Sequence, residues 1–413
     1  MLNRVAKILE QPACDHCLGR QFGQLLSGFS NAERGKLLRN ALALAVDSNE
    51  FPAESLAKID MNNFHQCRFR FNKDLAKKDF EKRVCAICGD FFEHIDKMVE
   101  NAAKKLSKQE FDTFLIGTKI STDLLQREEQ LWEKIGIEFC EPIRAEINRE
   151  VGRRLENALG KKADLKKPDI AVLLDLEQNK ISLQINSLYV FGYYQKLVRG
   201  IPQSKWGTPH KYKTSVEEII GKPLLKAADG FDIKLHGSGR EDIDAICTAW
   251  RPFVLEVLKP KKRKIDLEKA KRLVNGRKVR VSGLKIVELD VVQKVKEAKP
   301  DKSYKAVVKL EKEIKKTDLA KLKQLIGIIN QRTPQRVLHR RGNLLRKREV
   351  KELKTKWLGK KKFELIVKTE AGLYIKELIS SDDGRTKPSV SEVLGQKAIC
   401  EKLDVIKIEQ IKI

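Results

Sequence analysis

Glu241, Asp242 and Asp244 stand within four positions of one another in HGSGREDIDAICTAWRPF, residues 236–253, although the 413-residue chain carries a formal net charge of +27. Gly237 and Gly239 permit a tight turn and Arg240 follows. Asp242 and Asp244 then alternate with Ile243 as in a strand, which predicts both carboxylates on one face. Three chemistries suit such a segment. The acids are solvated on a surface loop, or both aspartates hold Mg²⁺ for phosphodiester chemistry, or one aspartate, kept ionised by basic neighbours, serves as nucleophile or base. Residue types and spacing leave all three open.

Cys14 and Cys17 in CDHCLGR, and Cys85 and Cys88 in CAICGDFF, form two C-x-x-C pairs. That spacing lets two thiolates from one tight turn take adjacent vertices of a tetrahedron, so two pairs complete a closed structural zinc site. Because 67 residues separate Cys17 from Cys85, the fold must bring the pairs together. Buried thiols or redox dithiols are the competing reading. Cys67, Cys140, Cys247 and Cys400 are isolated and read as core residues, with His16 and His65 as minor alternatives for a ligand.

These groups need a scaffold and a partner. Lys and Arg number 84 against 57 Asp and Glu, so the expected partner is a polyanion whose phosphates release counterions on docking, nucleic acid first. No apolar run approaches the ~20 residues of a membrane span. MLNRVAKILEQPACDHC lacks the apolar core of a secretion signal, which points to a cytoplasmic protein. The length suggests two or three domains.

In the first part, Ile143, Ile147, Val151 and Leu155 recur every fourth position as one helical face, with Gly160 as its stop. PDIAVLLDL and KISLQINSLYVFG read as an antiparallel pair closing an α+β module near Lys196. VRGIPQSKWGTPHKYKT is the linker candidate, with a boundary near residue 200. Beyond it, Ser215 with Glu218 predicts a capped helix over SVEEIIGKPLLKAA. RPFVLEVLKP, KVRVSGLKIVELDVV, SYKAVVKLE and KFELIVKTE read as strands, DLAKLKQLIGIIN and the stretch around LYIKELIS as helices. Clustered strands give an α+β fold with a mainly antiparallel sheet. From Arg336 to Lys362, twelve Lys and Arg face only Glu349 and Glu352, interleaved with His339, Val350, Leu353 and Trp357, which places this run in a folded element.

GREDIDA followed by RPFVLEVLKPKKRKIDL resembles the active-site segment of the archaeal-type, THUMP-containing tRNA pseudouridine synthases that modify the T-loop. The similarity continues through PQSKWGTPHKYKTSVEEIIGKPLL, KSYKAVVKLE, INQRTPQRVLHRR and AGLYIKELISSDDGRTKPSVSEVLG. It also takes in CDHCLGRQFG, CAICGDFF, FDTFLIGTK, EINREVG and KLVRGIPQ, in the family's order along nearly the whole chain. Two stretches depart: DIDAICTAW is shorter than its counterpart, with Ile246 near an expected arginine, and FGYYQKL replaces a more basic segment.

The resemblance implies a zinc-bearing, THUMP-like α+β module over residues 1–200 and a pseudouridine synthase catalytic domain on a mixed, mainly antiparallel sheet over 201–413. It implies an isomerase that detaches uracil from C1′ of one or both adjacent T-loop uridines and rejoins it through C5, with no organic cofactor. Asp242, two positions after Arg240, takes the part of the catalytic acid, attacking C1′ or abstracting the 2′ proton. Asp244 is left as structural support. A carboxylate in a closed pocket needs a cation nearby to stay charged, and the resemblance puts Lys376 there. Tyr304 is matched to a tyrosine that stacks on the target base, and Leu378 to an apolar wall. Arg240, Arg336, Arg340, Arg341, Arg385 and Lys387 are candidate RNA-binding residues. Cys14, Cys17, Cys85 and Cys88 are the zinc ligands, bracing a module that holds the acceptor end of tRNA. A monomer without an obligate protein partner or membrane is expected. The other class is a catalytically silent zinc-containing tRNA-binding or chaperone protein, and a metal-dependent nuclease is a third.

Overall fold

The computed structural model describes residues 1–56, 68–76, 83–206 and 212–410. The chain forms two compact units, Met1–Asn186 and Ser187–Ile413.

The first unit holds a four-stranded sheet of order β2–β1–β3–β4, made of β1 (Thr113–Lys119), β2 (Lys162–Ala163), β3 (Ile170–Asp175) and β4 (Lys180–Ile185). β1 runs parallel to β2 and β3, and β4 antiparallel to β3. The helix Ile143–Leu159 buries Ile143, Ile147, Val151 and Leu155 in one core with Phe114, Ile170 and Val172, as the four-residue spacing predicts. It stops at Gly160, which takes a left-handed φ of 62°. The short helix Asp15–Gly19 crosses Asn31–Asp47 at backbone distance. A Cβ on Gly19 would fall 1.8 Å from the Asn31 carbonyl oxygen, and one on Gly35 1.9 Å from that of Asp15. Glycine at both positions permits this approach, and it seats the turn at Cys14, the N-cap of the short helix.

KISLQINSLYVFG is two strands rather than one. β4 ends at Ile185, and β5 (Leu188–Lys196) is hydrogen-bonded between strands of the second unit. The break between units therefore precedes LYVFGYYQK, and VRGIPQ lies inside the second unit. β5 is buried along most of its length, as a central strand must be, whereas β4 alternates exposed and half-buried residues.

The second unit is built on a ten-stranded sheet. After β5 come β6 (Asp232–Gly237), β7 (Ile246–Leu258), β8 (Val279–Val287), β9 (Lys302–Leu310), β10 (Gly327–Arg332), β11 (Leu345–Gly359), β12 (Lys362–Thr369), β13 (Thr386–Lys387) and β14 (Ala398–Ile408). The order is β13–β10–β11–β12–β9–β14–β7–β5–β8, with β6 also on β7. Every pairing is antiparallel except β7 with β14, so the sheet is mixed and mainly antiparallel. One edge of β7 is divided. β14 pairs with Ile246 and Cys247 at its start, β6 with Phe253 to Leu258 at its end. The loop of residues 238–245, joining β6 to β7, thus lies where β14 enters the sheet.

Two assignments read from periodicity change. ELDVV belongs to the helix Leu289–Glu297, which buries Val292 and Val295 at a helical spacing of three. IGIIN leads into β10, where Ile328 is exposed and Ile329 buried, after 3₁₀ turns over Lys316–Leu325. Ser215 caps Val216–Ala228 as expected, its hydroxyl accepting the Glu218 N–H at 3.2 Å. Among the described residues, no helix is long and apolar enough to cross a membrane.

Candidate active site

The acidic loop of the second unit is held from behind. The Ser238 carbonyl accepts from Arg251 Nη1 at 2.9 Å. Gly239 takes φ of +75°, and a Cβ there would lie 2.7 Å from Lys302 Nζ, so any side chain is both strained and crowded. Glu241 turns inward. Its Oε2 lies 3.0 Å from Arg251 Nε, and the Tyr194 hydroxyl donates to it at 2.9 Å. Gln203 Nε2 donates to that hydroxyl at 2.8 Å and to the Gly239 carbonyl at 3.1 Å. Lys196, wholly buried, donates to the carbonyls of Asp242 at 3.0 Å and Ile243 at 3.1 Å.

The segment after Glu241 is a turn, not the strand its alternation suggested: the Ala245 N–H donates to the Asp242 carbonyl at 3.0 Å. Both aspartates still reach one cation. Lys376 Nζ is 3.2 Å from Asp242 Oδ2 and 2.8 Å from Asp244 Oδ2. Arg336 adds a second positive charge, its Nη1 3.6 Å from Asp242 Oδ1 and its Nε 2.6 Å from Glu377 Oε1. Lys376 and Glu377 open the helix Ile375–Ser380, so one helical turn supplies a cation to Asp242 and a carboxylate that orients Arg336. Burial opposes charge on Lys376, but the two aspartates outweigh it and raise its pKa. Burial likewise opposes charge on Asp244, and the Lys376 ammonium holds its carboxyl below the ordinary value.

Asp242, 34% exposed, faces a cavity of about 490 Å³. Tyr304 enters it from β9. Burial, reinforced by Cys247 and Asp242 and opposed by Arg251, pushes its phenol up to about 12, so the hydroxyl is neutral at physiological pH. Arg240, Arg336, Arg340 and Arg341 also line the cavity. The Arg240 guanidinium lies 5.4 Å over the Trp206 ring, and Arg341 Nη1 donates to the Tyr374 hydroxyl at 2.5 Å.

Three expectations fare differently. Leu378 is fully buried in the core and not a wall of the cavity; Leu373, Ile375, Leu403 and Val405 supply the apolar lining. Two positions along a helix is a rotation of about 200°, so a residue two beyond Lys376 points away from the cavity. Arg385 is engaged inside the fold, its Nη2 donating to the Thr333 carbonyl at 2.8 Å and to Asn343 Oδ1 at 2.5 Å, which ties its loop to the one before β11. Lys387 is exposed on β13, apart from the cavity lining.

Lys196, Arg251, Tyr194, Gln203 and Lys302 were not singled out from the sequence. The available signal was a charged residue bordering an apolar strand, as Arg251 precedes PFVLEVL, because a charge inside a sheet must find a partner.

In the first unit, Cys14, Cys17, Cys85 and Cys88 place their four sulfurs within 4.8 Å of one another, with Cys14 and Cys88 at 3.6 Å. Ligands about 2.3 Å from a tetrahedral zinc stand about 3.8 Å apart, so this donor set fits a metal ion. The Cys14 N–H donates to Cys85 Sγ at 3.3 Å and the Cys17 N–H to Cys14 Sγ at 3.4 Å, the backbone support expected of thiolates in such knuckles. Among the described residues, this is the group of three or more His, Cys, Asp or Glu side chains able to hold a metal. His16 is engaged elsewhere, its Nδ1 2.8 Å from Glu146 Oε1 and its ring stacked on Phe92 at 4.2 Å. Cys140 and Cys247 are core residues, and Cys400 is half-buried. Cys67 and His65 lie outside the described residues.

Comparison with known proteins bears on both units. Residues 189–409 match the family model described as Pus10, C-terminal, and residues 98–175 match the Pus10 THUMP domain, archaeal. The tRNA pseudouridine synthase Pus10 of Thermofilum pendens is 36% identical, covering 99% of this chain and 96% of that protein. That of Methanocaldococcus jannaschii is 40% identical over 96% of this chain and 92% of its own. A solved Cbf5-Nop10-Gar1 complex aligns with 52% of this chain and 48% of its own at 20% identity and a TM-score of 0.31, too distant to carry any part of the argument.

Proposed function

This chain belongs to the Pus10 family of tRNA pseudouridine synthases, and from that premise we propose that Asp242 converts T-loop uridine to pseudouridine in the cavity of the second unit. The protein is an isomerase acting on tRNA. Lys376 also meets Asp244, and the observation that supports the assignment to Asp242 is its place between two cations, Lys376 at 3.2 Å and Arg336 at 3.6 Å, in a cavity that Tyr304 also lines. Carboxylate, ammonium and neutral phenol converge there from three separate elements.

The carboxylate attacks C1′ or takes the 2′ proton. In either role it must stay anionic when substrate excludes water, and Lys376 and Arg336 supply the compensating charge. Tyr304 stacks on the target base. The uridine leaves its own stack to reach Asp242, which costs a few kcal/mol. Arg240, Arg340 and Arg341 around the cavity offset that cost through phosphate contacts, with Lys387 as an outlying one. One or both adjacent T-loop uridines are the substrate.

The first unit holds the acceptor end of tRNA through its THUMP domain, and its four thiols hold zinc. The metal, when bound, cross-links the turn at Cys14 to the turn at Cys85. The test is to map pseudouridine in an unmodified tRNA transcript after incubation with the protein. Formation confined to the T-loop is expected; none, with tRNA binding intact, would leave only a binding protein.

A further inference from the structure

We propose that Lys302 is a further catalytic residue of this isomerisation, its ammonium facing the uracil ring and balancing the negative charge the ring carries while detached from the ribose. The proposal rests on the reading of Asp242 given above.

Lys302 opens β9 two residues ahead of Tyr304, and the two-residue period of a strand puts both side chains on one face. Both line the cavity. Lys302 is 8% exposed, and its Nζ packs beneath Gly239, where a Cβ would come within 2.7 Å. Its hydrogen bond is a long one, 3.5 Å to the Ser238 carbonyl, and among the described residues it has no ion pair. A buried ammonium without a counter-charge is costly. Its neighbours do not relieve it. Lys196, Arg251 and Lys302 stand behind the acidic loop with Glu241 as their one buried carboxylate; Lys196 donates to two backbone carbonyls, and Arg251 is paired with Glu241. Asp242 already faces Lys376 and Arg336. Of the two cations left without a carboxylate, Lys302 is the one that lines the cavity, where the substrate can bring its counterpart.

The reaction creates such a counterpart. When the N1–C1′ bond breaks, its electron pair stays on the base, and the negative charge spreads over N1 and the two carbonyl oxygens. Asp242 accounts for C1′ or the 2′ proton. The ring then turns and a ring electron pair forms the C5–C1′ bond, as C1′ releases the Asp242 carboxylate or Asp242 returns the 2′ proton; the C5 proton passes to water and N1 takes one from water, so composition is unchanged. Lys302 keeps its protons throughout. A fixed ammonium in a site shielded from water stabilises the detached ring without reorganising.

This role makes the reaction depend on pH. Facing Lys302 are Arg251 and Cys247 of β7, Glu241 of the loop and Tyr304 of its own strand. Burial first, then Arg251, lower its amine to about 8, against the opposing pull of Cys247 and Glu241. The ammonium is present below that value and lost above it. kcat/KM, which reports groups of the free enzyme, should therefore fall as pH rises through about 8.

The experiment measures kcat/KM for pseudouridine formation across this range in wild type, Lys302→Gln and Lys302→Arg, with tRNA affinity measured in parallel. Lys302→Gln retains a donor toward the Ser238 carbonyl. It should lose about 100-fold in rate at neutral pH with little change in affinity, and the fall above pH 8 should vanish. Lys302→Arg should move that fall upward, because a guanidinium stays charged. Lys302→Gln keeping the wild-type rate or the same alkaline fall would overturn the proposal. So would a wild-type profile flat beyond pH 9, whether or not the variants fold. If wild type makes no pseudouridine on any tRNA, the reading of Asp242 fails first and Lys302 with it; an active wild type with an indifferent Lys302 sinks this inference alone.

Discussion

The thiol cluster of the first unit and the acidic loop of the second put buried charge to opposite uses. Cys14, Cys17, Cys85 and Cys88 turn their donors toward one another, so the site is complete in itself. Around Asp242 the completed set lies one layer back. Glu241 takes the Arg251 ion pair and the Tyr194 hydroxyl, and Lys196 takes the loop carbonyls, which leaves Asp242 and Asp244 facing the cavity around Lys376. A site that braces closes on itself, whereas a site that reacts keeps charged groups turned outward and uses buried pairs to hold them there. The three neighbouring acids of this basic chain are placed differently. Glu241 is buried and paired, Asp242 and Asp244 both line the cavity and share Lys376, and Asp242 alone also meets Arg336.

Breaking each side separately sharpens the contrast. The largest effect is expected from the brace: structural zinc sites contribute on the order of 10 kcal/mol. Cys85→Ser with Cys88→Ser, or chelation, should unfold the surrounding helices and weaken tRNA binding, while isomerisation persists at saturating enzyme. Circular dichroism and single-turnover assays check this, and loss of the rate at saturation would break the division of labour. Next, Arg251→Met leaves Glu241 buried without its ion pair and should cost about 3–5 kcal/mol. It should lower the thermal stability of the second unit and leave metal content unchanged, the reverse of the cysteine variant. The smallest effect belongs to Lys387→Ala. As an exposed edge-strand residue, it should leave stability within about 0.5 kcal/mol and lower the salt dependence of tRNA affinity by about one phosphate contact.

What was legible in the sequence follows from the range of the interactions involved. The face of Ile143, Ile147, Val151 and Leu155 and the cap at Ser215 are local patterns, and they stand as read. The cysteine pairs were readable because knuckle spacing is local, although their meeting was left to the fold. The acidic loop was misread as a strand because alternation within three residues suits a turn equally well. β5 was joined to the wrong module because only Asn186 and Ser187 separate it from β4, and hydrogen bonds to β7 and β8 decide its place. The meeting of Lys376 with Asp242 came from resemblance alone, since nothing local links a loop to a helix so far along the chain. Resemblance was less dependable for Leu378, where helical rotation turned the side chain into the core.

The division of roles between Asp242 and Asp244 is tested most directly by the pseudouridine content, read by mass spectrometry, of an unmodified tRNA after long incubation with wild type, Asp242→Asn or Asp244→Asn. The expected result is none with Asp242→Asn despite undiminished tRNA binding, and a reduced but measurable amount with Asp244→Asn, whose carboxylate only shares the Lys376 ammonium. Pseudouridine made at the wild-type level by Asp242→Asn would contradict the account.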